Sequence, residues 1–550
     1  MNGEQYLREQ LRRVLQAQAL VADEEIEIAL ERPKVAEHGD LATNVALLLA
    51  SKLRRKPRDI ANDILQNLQL DATIVSHAEV AGAGFINFRF SEGYFRRALM
   101  DVLGQGKDFG RSKWGNKKRL LIEFVSANPT GPLNIVSARA ATVGDVLANL
   151  FDAVGFETRR EYYVNDAGRQ VRLLGMSVSS RYMERLGKSE SFPEEGYHGE
   201  YIRDLANEIL DQEGEKPAIL GPEARWAKFT ELALEKILAA QQDTLARFGV
   251  RFDNWFRESS LRAGNAHLEV LKVLEAKGYL YEKDGARWFK SSEFGDEKDR
   301  VLVTRDGEPT YFLVDIAYHL AKYQRGFEML YDLWGPDHHG YIERVKAALE
   351  ALGYPRGSFE VNIIQQVNLI EGGEVVKMSK RAGKIIEMAE LIDEVGVDVA
   401  RFFFAERRTQ SPLDFDLDLA KNASEENPVY YVQYAHARIC NILKFAREQG
   451  QPFSEQAELD LLTAPEEMTL IKKLLEYPDV VSKAARYLEP HRLPTYLQEL
   501  AATFHRFYHH HQVVSSAVEL TKARLVLVEG TRVVLANGLA MLGISAPERM

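Results

Sequence analysis

Two short stretches carry side chains suited to phosphate chemistry. The first, PTGPLNIVSARAATVGD (residues 129–145), follows the apolar run RLLIEFVSAN and passes into helical spacing at VLANLF. A strand, a Gly-Pro turn and a helix start, in that order, present unpaired N–H groups and the positive end of a helix dipole to an anion. The second, Lys377-Met378-Ser379-Lys380, lies about 240 residues later, after the apolar run VNIIQQVNLI and a Gly-Gly turn. Two ammonium groups and a hydroxyl on such a loop could follow a triphosphate through a reaction and neutralise its developing charge. A short lysine-rich loop alone is an ordinary solvated turn. Paired with a strand–turn–helix motif, and each after a predicted strand, it points to a nucleotide.

The elements that must position these residues alternate as in an α/β domain. Residues 119–175 read as strand, Gly-Pro turn, long helix and second strand (TRREYYVND), a βαβ opening. Helical patterns, YIRDLANEIL and KFTELALEKILAAQQDTLARFGV, form an insertion over about 180–280. YEKDGARWFK is an Asp-Gly hairpin, VLVTRDGEPTYF resembles another, and VNIIQQVNLI reads as one strand. GFEMLYDLWGPDHHG reads as a strand ending in a polar loop, which puts Gly335, Asp337 and His338 at a strand C-terminus, where open sheets bind ligands. The expected fold is therefore a Rossmann-like catalytic domain over 116–395, a parallel sheet with helical insertions. An α+β unit precedes it (1–115): Leu7, Leu11, Val14 and Leu15 mark one helical face, Ala46, Leu49, Ala50 and Leu53 another, and AEVAGAGFINFRF alternates like a strand. From 396 to 550 the pattern is nearly all helical, as in an antiparallel bundle.

Composition narrows the function classes. The 550 residues suggest about three or four domains. A net charge of −11 provides no global basic field, so nucleic acid would have to meet local patches such as the cluster at Lys52, Arg54, Arg55, Lys56 and Arg58. The chain has no membrane-length apolar run, its N-terminus lacks a signal-peptide core, and Cys440 is its one cysteine. These features are expected of a cytoplasmic protein without an internal disulfide or a multi-cysteine zinc site. Asp337-His338-His339 and His509-His510-His511 invite a metal reading, but consecutive residues rarely converge on one ion, and on a helix they fan out by about 100°. No structural metal is expected. Asn422-Ala-Ser matches a glycosylation pattern of no consequence in such a compartment.

Taken in order, the segments resemble the class I aminoacyl-tRNA synthetases and, within them, the arginyl-tRNA synthetase family. GDLATNVALLLASKL and GFINFRF resemble its N-terminal tRNA-binding domain. EFVSANPTGPL, REYYVNDAGRQ, WGPDHHGY and the lysine motif resemble its catalytic domain. VDVARFFF, SPLDFDLDLA, NPVYYVQYAHARI and LGISAPERM resemble its anticodon-binding bundle. The resemblance implies activation of L-arginine with ATP to arginyl-adenylate, then transfer to the terminal adenosine of tRNA(Arg), at its 2′-OH. It implies Lys377, Ser379 and Lys380, with Asn134 and Ser137, as the catalytic group. It places Pro132, Asn134, Ser137, Gly335, Asp337, His338, Lys377 and Lys380 around ATP, with Mg2+ held mainly by phosphates and water. A guanidinium is always charged and offers a planar fork, so carboxylates should select it. By resemblance these are Glu123 and Asp315, with Tyr311 one helical turn away and Asn128 on the α-amino group. Lys52, Arg54, Arg55, Tyr430 and Tyr434 would meet tRNA, and the enzyme would act as a monomer. Blander readings stand beside these: a structural ion pair for Glu123, core or hairpin packing for Tyr311, a solvated helix end for residues 52–58, and packed core for the tyrosines.

One motif departs from the family. Where it usually has His-Ile-Gly-His, this chain has Asn134-Ile135-Val136-Ser137. Asn and Ser side chains also donate hydrogen bonds. Val136 takes the space a glycine leaves for adenine, unless it joins the apolar stripe of Ala140, Val143, Leu147 and Leu150 and points to the core. The departure raises two alternatives, a synthetase-related regulator that has lost catalysis and a class I synthetase of other specificity. The intact lysine motif and the presence of Glu123, Tyr311 and Asp315 speak against lost catalysis.

Overall fold

Leu7, Leu11, Val14 and Leu15 line the buried face of α1 (Gly3–Ala17) in a computed structural model that describes residues 3–18, 20, 28–33, 35–376 and 386–550. Lys377, Ser379 and Lys380 lie outside the described residues. The first unit continues through β1 (Leu41–Thr43), α2 (Val45–Leu53), α3 (Pro57–Asn67), β2 (Val75–Ala81), β3 (Phe85–Phe90) and α4 (Glu92–Gln105). Its antiparallel sheet runs β1-β3-β2, and the alternation of Ile86, Phe88 and Phe90 turns those side chains inward. Pro57 starts α3, where its missing N–H costs nothing.

The second unit opens with β4 (Arg119–Glu123), α5 (Ile135–Ala153) and β5 (Glu157–Val164). The helical insertion is α6 (Arg169–Arg185), α7 (Glu200–Glu213) and α8 (Pro222–Arg247), and the chain returns to the sheet at β6 (Asn254–Arg257). Then come α9 (Glu258–Ala263), α10 (Ala266–Ala276) and a small antiparallel sheet of β7 (Leu280–Lys283), β8 (Ala286–Phe289) and β9 (Arg300–Val303). After α11 (Tyr311–Gln324), β10 (Met329–Trp334), α12 (Ile342–Leu352) and β11 (Phe359–Ile363) complete the main sheet. Its order is β11-β10-β4-β5-β6, all parallel. Leu120, Leu121 and Ile122 are all buried, as a strand covered on both faces requires. The chain winds outward from β4 to β6 and then restarts on the other side at β10, so the strand order switches beside β4. Helix α5 lies hard against this point: a Cβ on Gly144 would stand 2.2 Å from the Phe124 ring.

Two expected elements differ. VNIIQQVNLI is two strands, β11 and β12 (Val367–Glu371), in different sheets. The break between them is held by Arg139, fully buried on α5, which donates to Gln365 O (2.8 Å), Gln366 O (3.4 Å), Arg408 O (3.0 Å) and Ser411 O (2.9 Å). Burial pulls its pKa down to about 10. In VLVTRDGEPTYF the second hairpin arm is reduced to one bridge, Val303 to Pro309, because Thr310 caps α11.

Strand β12 pairs with β13 (Glu374–Val375) and, across the expected boundary at 395, with β14 (Leu413–Asp416). Around β14 lie α13 (Met388–Val395), α14 (Val397–Glu406) and α15 (Leu417–Lys421). The bundle consists of α16 (Pro428–Glu448), α17 (Pro465–Leu474), α18 (Tyr477–Arg486), α19 (Arg492–His510) and α20 (Val518–Met541). It packs on α4 through α17 and α20, and α14 is tied to α5 by a buried Arg401–Asp145 ion pair at 2.5 Å. No described helix is long and apolar enough to cross a membrane.

Candidate functional site

Residues 386–388 join the chain at the start of α5. Ile135 N donates to Ile386 O (3.3 Å) and Met388 N to Leu133 O (2.8 Å), with Asn134 bridged to Glu387. Residues 386–388, which begin six positions after Lys380 in sequence, are thus bonded to Leu133–Ile135. The turn before it is held by the helical insertion: Tyr201 Oη donates to Thr130 O (2.7 Å) and Gln241 Nε2 to Gly131 O (2.9 Å). Pro132 is exposed in this turn.

Asn134 works first as a helix cap. Its Oδ1 accepts from the N–H groups of Val136 and Ser137, both at 3.0 Å, and from Ser137 Oγ at 3.3 Å. The expected pair is therefore together, but its contacts are with each other and with the helix, and two N–H groups of the first turn are already satisfied. The amide nitrogen of Asn134 is the donor the cap does not use. Val136 does not point to the core; it is 37% exposed. The reason is phase: the core side of the first turn is occupied by Ile135 and Ala138.

Beyond β4 the backbone passes through two consecutive left-handed residues, Val125 (φ 67°) and Ser126 (φ 39°), a costly conformation for a β-branched residue. The turn is pinned by Ser126 Oγ, which donates to Glu123 Oε1 (2.9 Å) and accepts from Tyr163 N (3.1 Å). It delivers Asn128, exposed at the strand end, whose Nδ2 donates to Gln170 Oε1 (2.8 Å).

Glu123 and Asp315 both act electrostatically on Tyr163 but differ in their own partners. Buried Lys322 donates to Glu123 Oε2 (2.7 Å) and to Asp332 Oδ1 (2.8 Å). His319 Nε2 lies 2.9 Å from Asp332 Oδ2, and the Lys322 ammonium stands 4.4 Å from the Tyr318 ring centroid. Burial pushes the Glu123 carboxyl up, against the pull of Lys322. Burial also opposes ionisation of Asp332, yet Lys322 and His319 hold it below the ordinary range. Glu123 thus has the structural ion pair of its blander reading.

Asp315 has no such partner: among the described residues no Lys, Arg or His forms an ion pair with it, and Oδ2 accepts from Tyr341 Oη at 2.6 Å. Burial lifts its carboxyl above the ordinary range, while Tyr341, His319 and His338 pull it back. Tyr311, one turn earlier on α11, is 79% exposed, which removes core packing as its explanation. Desolvation without a paired cation disfavours the charged form of Asp315.

Gly335 caps the 3-10 turn Pro336–Tyr341 at the end of β10, leaving Asp337 and His338 exposed toward the same end of the sheet. On the bundle, Tyr430 and Tyr434 stack at 6.2 Å between centroids. The Arg438 guanidinium lies 4.4 Å from the Tyr434 ring and 5.2 Å from that of Tyr508. A cavity of about 580 Å3 opens beside Arg438, Tyr508 and Phe445. Lys52, Arg54 and Arg55 are exposed at the end of α2, with Arg55 paired to Asp63 at 2.5 Å.

Sequence reading missed Lys322, His319, Tyr341 and Arg438. A signal for the first two existed: Asp315, His319 and Lys322 recur at helical spacing along one stripe of an otherwise apolar α11.

Comparison with known proteins covers the chain end to end. The model "Arginyl tRNA synthetase N terminal domain" matches residues 5–90, "tRNA synthetases class I (R), catalytic domain" residues 98–443, and "DALR anticodon binding domain" residues 432–550. A protein of Carboxydothermus hydrogenoformans named arginine--tRNA ligase is 48% identical over 541 residues, covering 98% of this chain and 97% of that one. One of Oceanobacillus iheyensis with the same name is 47% identical, covering 100% and 99%. Among solved structures, a putative arginyl tRNA synthetase of Campylobacter jejuni aligns with a TM-score of 0.75 at 34% identity, over 84% of this chain and 100% of that one. Thermus thermophilus arginyl-tRNA synthetase shares the fold, with a TM-score of 0.79 at 24% identity over 99% and 100%.

Proposed function

We propose that this chain, which belongs to the arginyl-tRNA synthetase family, is an arginine–tRNA ligase working through the site at the C-terminal end of β4 and β10. ATP, arginine and tRNA are its partners. The observation that carries the amino-acid assignment is Asp315, a half-buried, desolvated carboxylate with no ion-pair partner among the described residues, one helical turn from the exposed Tyr311. An arginine guanidinium supplies the missing charge. Asn128 holds the α-amino group, and Glu123 adds negative potential from within its ion pair.

In the first step a carboxylate oxygen of arginine attacks the α-phosphorus of ATP in line, and the bond to pyrophosphate breaks. In the second, the 2′-hydroxyl of the terminal adenosine attacks the adenylate carbonyl and AMP leaves. The protein's part is position and charge. Asn134 and Ser137 order the start of α5, and the amide nitrogen of Asn134 donates to a phosphate. Lys377, Ser379 and Lys380 supply phosphate contacts, a role supported by their sequence and by the junction of Ile386–Met388 with Leu133–Ile135. Pro132, Gly335, Asp337 and His338 border the adenosine. Mg2+ arrives with ATP, held mainly by phosphate oxygens and water. Residues 1–115 and 396–550 grip tRNA(Arg) through Lys52, Arg54 and Arg55 and through Tyr430 and Tyr434, around a catalytic unit at 116–395. The protein acts as a monomer in the cytoplasm.

ATP–pyrophosphate exchange with arginine and tRNA present tests the reaction, and charging of total tRNA with arginine against other amino acids tests the substrate. Folded protein without exchange overturns the enzyme; charging of a different amino acid overturns the assignment of Asp315.

A further inference from the structure

We propose that Tyr341 is a positioning residue: by holding one oxygen of Asp315 it aims the other at the arginine guanidinium and ties that carboxylate to the turn that borders adenosine. The inference rests on the reading of Asp315 given above. Tyr341 closes the 3-10 turn Pro336–Tyr341, three residues after His338, and its hydroxyl donates to Asp315 Oδ2 at 2.6 Å. Its ring has little freedom. Phe312 meets it edge-on at 5.8 Å, Trp334 lies at 6.1 Å, and the Arg344 guanidinium sits 4.8 Å from the ring centroid. The ring is thus held from α11, from β10 and from α12, and the hydroxyl ends at the carboxylate.

The consequence for Asp315 is geometric. No described donor engages Oδ1. With Oδ2 fixed, the plane of the carboxylate is fixed, and a planar fork of donors meets a prepared orientation that a mobile carboxylate would offer only part of the time. A point-charge ammonium gains less from a fixed plane, so the same bond favours arginine over lysine. Because the hydroxyl belongs to the turn that carries Asp337 and His338, a ligand ordering that turn also orders Asp315. By reciprocity, arginine and ATP then assist each other's binding.

Tyr341→Phe keeps the ring and removes the bond. In exchange assays with tRNA present, KM for arginine should rise about tenfold, the scale of one hydrogen bond to a charged group. The kcat at saturating arginine should change much less, and the drop in KM for arginine with rising ATP should flatten. The pH profile separates positioning from mere packing. Asp315 faces Tyr341, His338, Glu258, Tyr163 and, on its own helix, His319. Ionised Asp315 is the binding form, so arginine use falls as pH drops through its folded pKa. The Tyr341 bond holds that value down, and its loss should move the acid limb of kcat/KM for arginine to higher pH. Asp315→Asn should abolish that limb. If Asp315→Asn leaves KM and the limb untouched, the guanidinium reading of Asp315 fails. If it alters both while Tyr341→Phe alters neither, or raises KM without moving the limb, the role given to Tyr341 fails alone.

Discussion

Replacing Lys322 by Met removes the cation at the centre of the buried network and keeps most of its volume. Two carboxylates lose their partner, Glu123 at 2.7 Å and Asp332 at 2.8 Å. Asp332 keeps His319 at 2.9 Å, so the loss falls on Glu123, which is left with one hydroxyl donor, Ser126. An unpaired buried carboxylate costs about 3–5 kcal/mol, and protonation sets a ceiling on that loss. Holding Glu123 protonated at pH 7, against an ordinary value of 4.5, costs about 3.4 kcal/mol at about 1.36 kcal/mol per pH unit. At pH 6 the same ceiling is about 2 kcal/mol. The direction follows from proton counting. In the variant the folded state retains a proton that the unfolded chain releases above 4.5, so each added pH unit favours unfolding. In the parent chain Lys322 pulls the carboxyl back toward its charged form, so this dependence is weaker. Urea unfolding of both proteins, followed by far-ultraviolet circular dichroism, should show a gap that widens from pH 6 to pH 7, because the variant's ceiling rises with pH and the parent's dependence is weaker. A gap that is the same at both values, or one below about 1 kcal/mol at pH 7, would refute the view that Glu123 depends on Lys322 for its charge.

Lys380→Ala should lower the rate of activation by an order of magnitude or more, because it removes positive charge used in the transition state; an unchanged kcat in exchange would refute this role. Asn134→Ala should cost about 1 kcal/mol of stability through the lost cap. Asn134→Asp should preserve stability and raise KM for ATP by placing negative charge near phosphate, and equal stability of the two variants would contradict the capping geometry. Val136→Gly should leave KM for ATP the same or lower it, since an exposed side chain is cleared from the nucleotide side. A rise in that KM would show that Val136 supports the site instead of crowding it.

Much of the architecture was legible because it is local. Apolar runs gave β4 and β10, the 3.6-residue stripe gave α1, and the Gly-Pro turn marked the start of α5. The split of VNIIQQVNLI was hidden, because both halves are apolar strands and what parts them is a guanidinium from 226 residues earlier in the chain. Likewise, Glu123 reads in sequence as a lone carboxylate in an apolar strand, and its partner Lys322 is 199 residues away. Asn134 was a different miss. An Asn directly before a helix is a cap signal by its residue type alone, and the side chain carries both the oxygen that caps and the nitrogen that suits a phosphate.

Among the described residues, Arg139 hydrogen-bonds only to main chain. Its four contacts are carbonyl oxygens of residues 365, 366, 408 and 411. Every amino acid carries a carbonyl, so this junction between α5 and the sheet of β12 and β14 is indifferent to the side chains at those four positions. The seam can therefore tolerate drift on one side while remaining intolerant on the other. A lysine in place of Arg139 would bring one nitrogen where the junction needs two, spread wide enough to reach both crossings of the chain.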